Sequence, residues 1–356
     1  MGSSKRNSIV AFISAIAVFC VALVARAGEA EKPVTIHGFA DGYYAWNGND
    51  PASHDSFFSG AGSTAKRANE FNLNLAAVDI VRDAAPLGFH LSLVAGNGAD
   101  VIHAAESEGF RHIYQASVIY KVNEKLTIEG GIFPSHIGFE SFYSKDNWNY
   151  MRSWPGELSP FYQTGAHAIY QFDPHWSGEV HVLNGWQIIN DNNDAKAIGG
   201  KAAYTSDRLT TSFNTFDGPE LPRDSSHWRH FGNLIGSYKV TSKLTLAASL
   251  DRGHQELPGD AAANWLGVAG YGRYAFDDRH AVAIRGSFFR DPDNAISGAA
   301  QKLSEETLTY ELYPIPNLIV KIEGRHDHST ASAFARKTGG SASNQTIVVI
   351  GAVATF

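Results

Sequence analysis

A single cysteine, Cys20, stands among 356 residues, which excludes an internal disulfide framework. Charge is scarce: Asp, Glu, Lys and Arg make up 18% of the chain, against about 25% in ordinary globular domains. With aromatics at 12%, so little charge excludes a disordered chain. Long apolar runs are missing apart from Ile9 to Ala25, so the chain is no bundle of membrane helices. A formal charge of −7 argues against a nucleic-acid partner, which would need a Lys/Arg excess to neutralise phosphates. There is no Gly-x-Ser-x-Gly, phosphate loop or dinucleotide fingerprint. No cofactor is expected, and the chain does not read as an enzyme.

What is present begins with a leader. Lys5 and Arg6 precede the apolar run, which ends at Ala25-Arg26-Ala27. A basic start, an apolar centre and a small-x-small site read as a secretory signal peptide, residues 1–27, cleaved after Ala27. An uncleaved anchor helix is the alternative, because the run is long for such a leader. Cys20 follows bulky Phe19 inside the run, so it reads as part of the discarded segment and not as a lipidation site. Cleavage removes three basic and no acidic residues, taking the formal charge from −7 to −10. The exported chain, residues 28–356, then holds together without disulfides.

From there on the pattern has period two. Phe71, Leu73 and Leu75 alternate with Asn72, Asn74 and Ala76; Leu244, Leu246, Ala248 and Leu250 alternate with Thr245, Ala247, Ser249 and Asp251. Such alternation marks strands with one apolar and one polar face. The connections come in two sizes, in strict alternation. Seven are short and polar, among them 123–125, 173–175, 206–208 and 277–279. Eight are long: 47–69, 97–109, 134–163, 187–194, 219–226, 256–262, 292–300 and 330–344. Together they join sixteen strands. Short turns at one end and long loops at the other predict an all-β fold: a transmembrane antiparallel β-barrel with short periplasmic turns and long extracellular loops, in the bacterial outer membrane. In lipid only helices and closed barrels satisfy every backbone polar group. Aromatic residues beside the turns, such as Tyr170, Phe172, Trp176, Tyr238, Tyr274, Phe276 and Tyr310, suit an interfacial girdle, with Tyr43 and Tyr120 expected there too. The chain ends Gly351-Ala352-Val353-Ala354-Thr355-Phe356; Gly351, Ala354 and Phe356 read as an insertion signal for barrel assembly machinery, with apolar Val349 where a polar residue is usual.

The stretches Gly38-Phe39-Ala40-Asp41-Gly42-Tyr43-Tyr44, Gly130-Gly131-Ile132-Phe133, Asn147-Trp148-Asn149-Tyr150-Met151-Arg152-Ser153 and Leu183-Asn184-Gly185-Trp186 resemble the β-barrel porin family of OmpL-like proteins. The resemblance covers nearly the whole exported chain. It implies outer-membrane location and solute passage, and names no substrate.

If the apolar face meets lipid, the lumen receives Asp41, Glu129 and Glu179 from the first half and Lys201, Lys239, Arg273, Arg285, Lys321 and Arg325 from the second. Two readings stay open: a field across the pore, or charges that pair and solvate a polar interior. A sixteen-stranded barrel leaves an aqueous channel unless something narrows it. The candidate is 134–163, long and unusually aromatic, expected to fold inward as a constriction with Glu140, Asp146, Trp148 and Arg152 near the narrowest point. A loop packed on the outer rim or on a neighbouring subunit is the alternative. The pairs His326/His328 and His227/His230 lack a defined ligand set, so they read as rim residues and no metal is expected. The expected function is an outer-membrane porin for passive diffusion of small hydrophilic solutes, its other partners being membrane lipid and, as an open option, further copies of itself. A structural or surface-binding barrel is the rival reading, and an outer-membrane hydrolase a weaker one, because no spacing pairs a Ser with a His.

Overall fold

The computed structural model describes residues 32–356; the leader and its cleavage after Ala27 lie outside the described residues. The strands are β1 (Val34–Asn47), β2 (Glu70–Arg82), β3 (Leu87–Ala95), β4 (Ile113–Lys121), β5 (Leu126–Pro134), β6 (Tyr162–Gln171), β7 (Trp176–Leu183) and β8 (Ala197–Thr205). They continue with β9 (Leu209–Pro219), β10 (Trp228–Lys239), β11 (Leu244–Leu257), β12 (Ala261–Ala275), β13 (His280–Asp291), β14 (Gln301–Ile315), β15 (Leu318–Ser329) and β18 (Asn344–Thr355). These sixteen form one closed barrel in sequence order, every neighbour antiparallel. Two short strands, β16 (Phe334–Ala335) and β17 (Ser341–Ala342), make a separate ribbon in the last outer loop.

Closure joins the chain's ends. β18 pairs with β1 from Phe39↔Thr355 to Asn47↔Ile347, and Gly38 and Phe356 exchange two backbone hydrogen bonds of 3.1 and 3.0 Å. No edge is left for lipid to meet. The short turns carry their own caps. Asp173 Oδ1 accepts from the N–H groups of His175 and Trp176, and Asp277 Oδ1 from those of Arg279 and His280. Asn123 and Thr241 do the same in their turns. A side chain that bonds the backbone two residues on is what makes these residues turn formers.

The outer face is apolar along the strands, with Phe71, Leu234, Leu250, Ile284, Leu308 and Ile350 exposed, and Tyr170, Phe172, Trp176, Tyr238, Tyr274 and Phe276 standing near the turns. Four expectations need correction. Tyr43 and Tyr120 are buried and belong to no girdle. Leu75 does not share the outer face with Phe71 and Leu73. The β1–β2 register slips between Asp41 and Gly42, leaving Asn74 as the extra residue, so that Leu75, Ala77 and Asp79 are buried where plain alternation would expose them. The connection at 256–262 is no long loop: Leu257 pairs with Ala261, and the turn is 258–260, with Gly259 and Asp260 at φ 76° and 60°. Finally, the inner face of β18 is apolar, with Ile347, Val349 and Val353 fully buried. It has an apolar partner inside the barrel, which also accounts for Val349.

Candidate functional site

That partner is the segment between β5 and β6. It includes one turn of 3₁₀ helix, Ser144–Asp146, and a short helix, Trp154–Glu157, that starts where the Ser153 hydroxyl accepts the Gly156 N–H. An earlier helix, Asn97–Ile102, lies in the β3–β4 loop. The segment touches inward-facing residues around the circumference. On one wall, the Gly138 N–H donates to Asn233 of β10 at 3.3 Å and His136 Nε2 lies 2.9 Å from the Thr215 carbonyl of β9. Ser159 donates to Asp251 of β11 at 3.2 Å. Farther round the barrel, Glu323 of β15 accepts the N–H groups of Tyr150 and Met151 at 2.5 and 2.9 Å. The Trp154 N–H donates to Ser287 of β13 at 3.2 Å.

The charged lumen residues act mainly on this segment. Asp41 accepts from the hydroxyls of Tyr150 and Ser144, both at 2.6 Å. Lys321 donates to the Ser144 carbonyl at 3.0 Å and also to that of Asn147; Arg325 donates to the Arg152 carbonyl and pairs with Asp327 at 2.8 Å. Arg285 bonds the Met151 carbonyl at 2.6 Å, Glu305 at 2.7 Å and Glu140 at 2.9 Å. Buried charges persist where each has a partner, and here the loop backbone supplies many of them. Around these bonds lies an apolar cluster that includes Trp154, Met151, Tyr150, Phe231, Trp265, Phe289, Ile347 and Val349.

Of the loop residues singled out from sequence, Arg152 is buried against the Phe161 ring at 4.1 Å and donates to the Ser141 and Gly156 carbonyls. Glu140 accepts from Ser153 and Arg285. Trp148 packs edge-on to Phe139 and Tyr271, and Asp146 pairs with Lys145 at 2.8 Å. Two cavities meet at Phe139 and Glu140. One, of about 270 Å³, is lined by Tyr114, Ile137, Phe142, Arg152 and Phe161. The other, of about 300 Å³, is lined by Asp146, Trp148, Asn149, Thr210, Ser237 and Tyr271.

The remaining candidates lie elsewhere on the wall. Glu129, Glu179 and Lys201 gather on β5, β7 and β8, with Lys201 3.1 Å from Glu179. Arg273 pairs with Glu311 at 2.8 Å, and Lys239 is exposed at the end of β10 beside the 240–243 turn. Gly351 faces the loop, while Ala354 and Phe356 are exposed on β18's outward side.

Sequence reasoning missed the first outer loop, which closes over the same cluster. The Gly62 and Ser63 N–H groups donate to Glu157 at 3.0 and 2.9 Å, and the Phe58 ring stacks on Trp154 at 5.4 Å. It also missed Glu220, just after β9, which accepts the Trp186 N–H at 2.9 Å. Burial pushes the Glu220 carboxyl up to about 7, against the opposing pull of Arg229 at 4.0 Å. Neither contact has a local signal, since the partners are 95 and 34 residues apart.

A family model described as "Putative beta-barrel porin-2, OmpL-like" matches residues 33–356. No curated protein sequence matches the chain. Among solved structures, the fold is similar to the anion-selective porin from Comamonas acidovorans (13% identity, TM-score 0.63, covering 92% of this chain and 100% of that one). It is also similar to the outer membrane channel DcaP of Acinetobacter baumannii (13%, 0.59, 93% and 99%). A third is the trimer form of OmpT, an outer membrane protein of Vibrio cholerae (10%, 0.59, 92% and 100%). At such identities the likeness is one of fold.

Proposed function

We propose, from the premise that the chain belongs to the OmpL-like beta-barrel porin-2 family, that it is an outer-membrane channel through which small hydrophilic solutes diffuse past a narrow, mixed polar and aromatic waist. The observation that carries this is the pair of cavities meeting at Phe139 and Glu140. Segment 134–163 is the constriction. Glu140, Asp146 and Trp148 line the waist; Arg152 holds the loop's shape from within. Asp41, Arg285, Lys321 and Arg325 anchor the loop, whereas Glu129, Glu179, Lys201, Lys239 and Arg273 line the lumen. Gly351, Ala354 and Phe356 form the assembly signal, and residues 1–27 the cleaved leader. A homo-oligomer is supported by the trimer form among the fold's neighbours.

The test is single-channel recording of the refolded chain in a planar bilayer under a salt gradient. Stable conductance steps are expected, enlarged when 139–157 is deleted. A heat-modifiable, inserted barrel that passes no current would overturn the channel reading.

One observation favours the rival reading of a structural or surface-binding barrel. The apolar cluster around Trp154 draws on β1, β5, β7, β8, β9, β10, β12, β13, β14 and β18, so it reaches most of the circumference. That reading expects no current until the loop is removed.

A further inference from the structure

Strand register writes one row across the inner wall: Glu129 of β5 is paired with His167 of β6, and His167 with His181 of β7. Glu179 lies two residues before His181, on the same face, and is paired with Lys201 of β8. His167 Nε2 lies 3.1 Å from Glu129 Oε2, and the other Glu129 oxygen accepts from Gln115 at 3.2 Å. The proton of His167 therefore belongs on Nε2, which leaves a lone pair on Nδ1. That nitrogen is buried without a hydrogen-bond partner, on a side chain 8% exposed. It faces Glu179 Oε2 at 3.8 Å, and His181 Nε2 lies 3.1 Å from the same oxygen. Two acceptors that face each other in this way call for a proton or a metal ion between them.

We propose that His167, Glu179 and His181 bind a divalent transition-metal ion of the zinc class on the lumen wall. Two imidazoles and one carboxylate are a ligand set such ions take, with a fourth position open. Tetrahedral bonds of about 2.0–2.2 Å hold ligand atoms about 3.4 Å apart. The 3.8 and 3.1 Å spacings straddle that value, and the three ligand atoms lie within 4.8 Å of one another. The two imidazole rings are stacked, with centroids 4.6 Å and planes 22° apart, so a ring must turn for both to take one ion in their planes. Glu129 then supplies the carboxylate–histidine–metal relay that orients His167. Lys201 holds the other Glu179 oxygen at 3.1 Å, on a side chain exposed enough to swing away. Four strands, β5 to β8, contribute these groups, so no spacing along the chain announces them.

The test does not depend on the channel reading, because ion binding is measured in detergent solution. The refolded full chain, stripped with a chelator, is titrated with Zn²⁺ against a fluorescent chelator and with Co²⁺ by its visible absorption. One ion per chain is expected. Glu179→Gln and His181→Ala should each weaken it at least about 100-fold, and Glu129→Gln about 10- to 100-fold. Lys201→Met should bind at least as tightly as the parent, and the rim variant His326→Ala/His328→Ala should bind like it. Heat-modifiable migration checks that each variant is folded, with His181→Gln in reserve should His181→Ala fail. Absence of a stoichiometric ion in the parent chain, or parental affinity in folded Glu179→Gln and His181 variants, would overturn the proposal; a second proton on His167 would then bridge the two glutamates.

Discussion

A Cβ added to Gly351 of β18 would lie 2.3 Å from Cε2 of Tyr150 in the lumenal loop. The final strand thus lacks a side chain where the loop presses on it. The Tyr150 hydroxyl reaches past to Asp41 of β1, so one residue of the loop spans the seam where the barrel closes.

Gly351→Ala should push the loop off this seam. Overpacking costs about 1–3 kcal/mol, so a lower unfolding temperature by heat-modifiability is expected, together with noisier or larger conductance. Tyr150→Ala is itself destabilising, since it empties a buried site and removes the bond to Asp41, but in that background Gly351→Ala should cost much less than it does in the parent chain. Parental behaviour of Gly351→Ala would show that the loop does not press on β18.

Glu323→Gln should loosen the same loop from β15, the strand next to β18. It turns two charge-assisted bonds, to the N–H groups of Tyr150 and Met151, into at best neutral ones. Bonds to charged groups are worth about 1.5–3 kcal/mol each. Increased current fluctuation with an intact barrel is the expected record.

Arg285→Met should destabilise strongly. It strands Glu305 and Glu140, both buried, without their shared cation. Breaking a buried pair from one side costs about 3–5 kcal/mol. The double variant Arg285→Met/Glu305→Gln should unfold at a higher temperature than Arg285→Met alone.

Charge reversal on the wall should move ion preference without altering the fold. Lys201 and Lys239 are the candidates, because one is partly and the other largely exposed. Lys201→Glu/Lys239→Glu should shift the reversal potential under a salt gradient toward cations. An unchanged reversal potential would remove both residues from the ion path.

Outer-loop docking should weaken as pH rises. The Glu220 carboxyl is raised by burial from its usual 4.5 to about 7. A raised acid favours the folded form while protonated, so this contribution is full below about pH 4.5 and is lost as pH climbs through about 7. Limited proteolysis of the outer loops should be faster at about pH 8.5 than at about pH 5. Glu220→Gln should flatten that dependence.

Period-two alternation and turn chemistry are properties of neighbouring residues, and the sequence by itself determined them here: sixteen strands, their order, and the end at which all the tight turns but that at 258–260 lie. Backbone satisfaction in lipid then leaves a closed barrel as the outcome. The aromatic content of 134–163 marked that segment as one to bury. Only the tertiary structure decided where. A bulge at Asn74 reverses which residues of β2 are buried, and it depends on pairing with β1, which alternation within β2 does not report. The apolar inner face of β18 makes sense once Tyr150 and Trp154 stand against it, about 200 residues earlier in the chain. Asp41, Arg285, Lys321 and Arg325 could be read as lumen charges, but whether they face solvent or the loop backbone turns on the loop's path. Likewise His167 and His181 become one cluster with Glu129 and Glu179 through strand register, which is set by the whole closed sheet and by no segment alone.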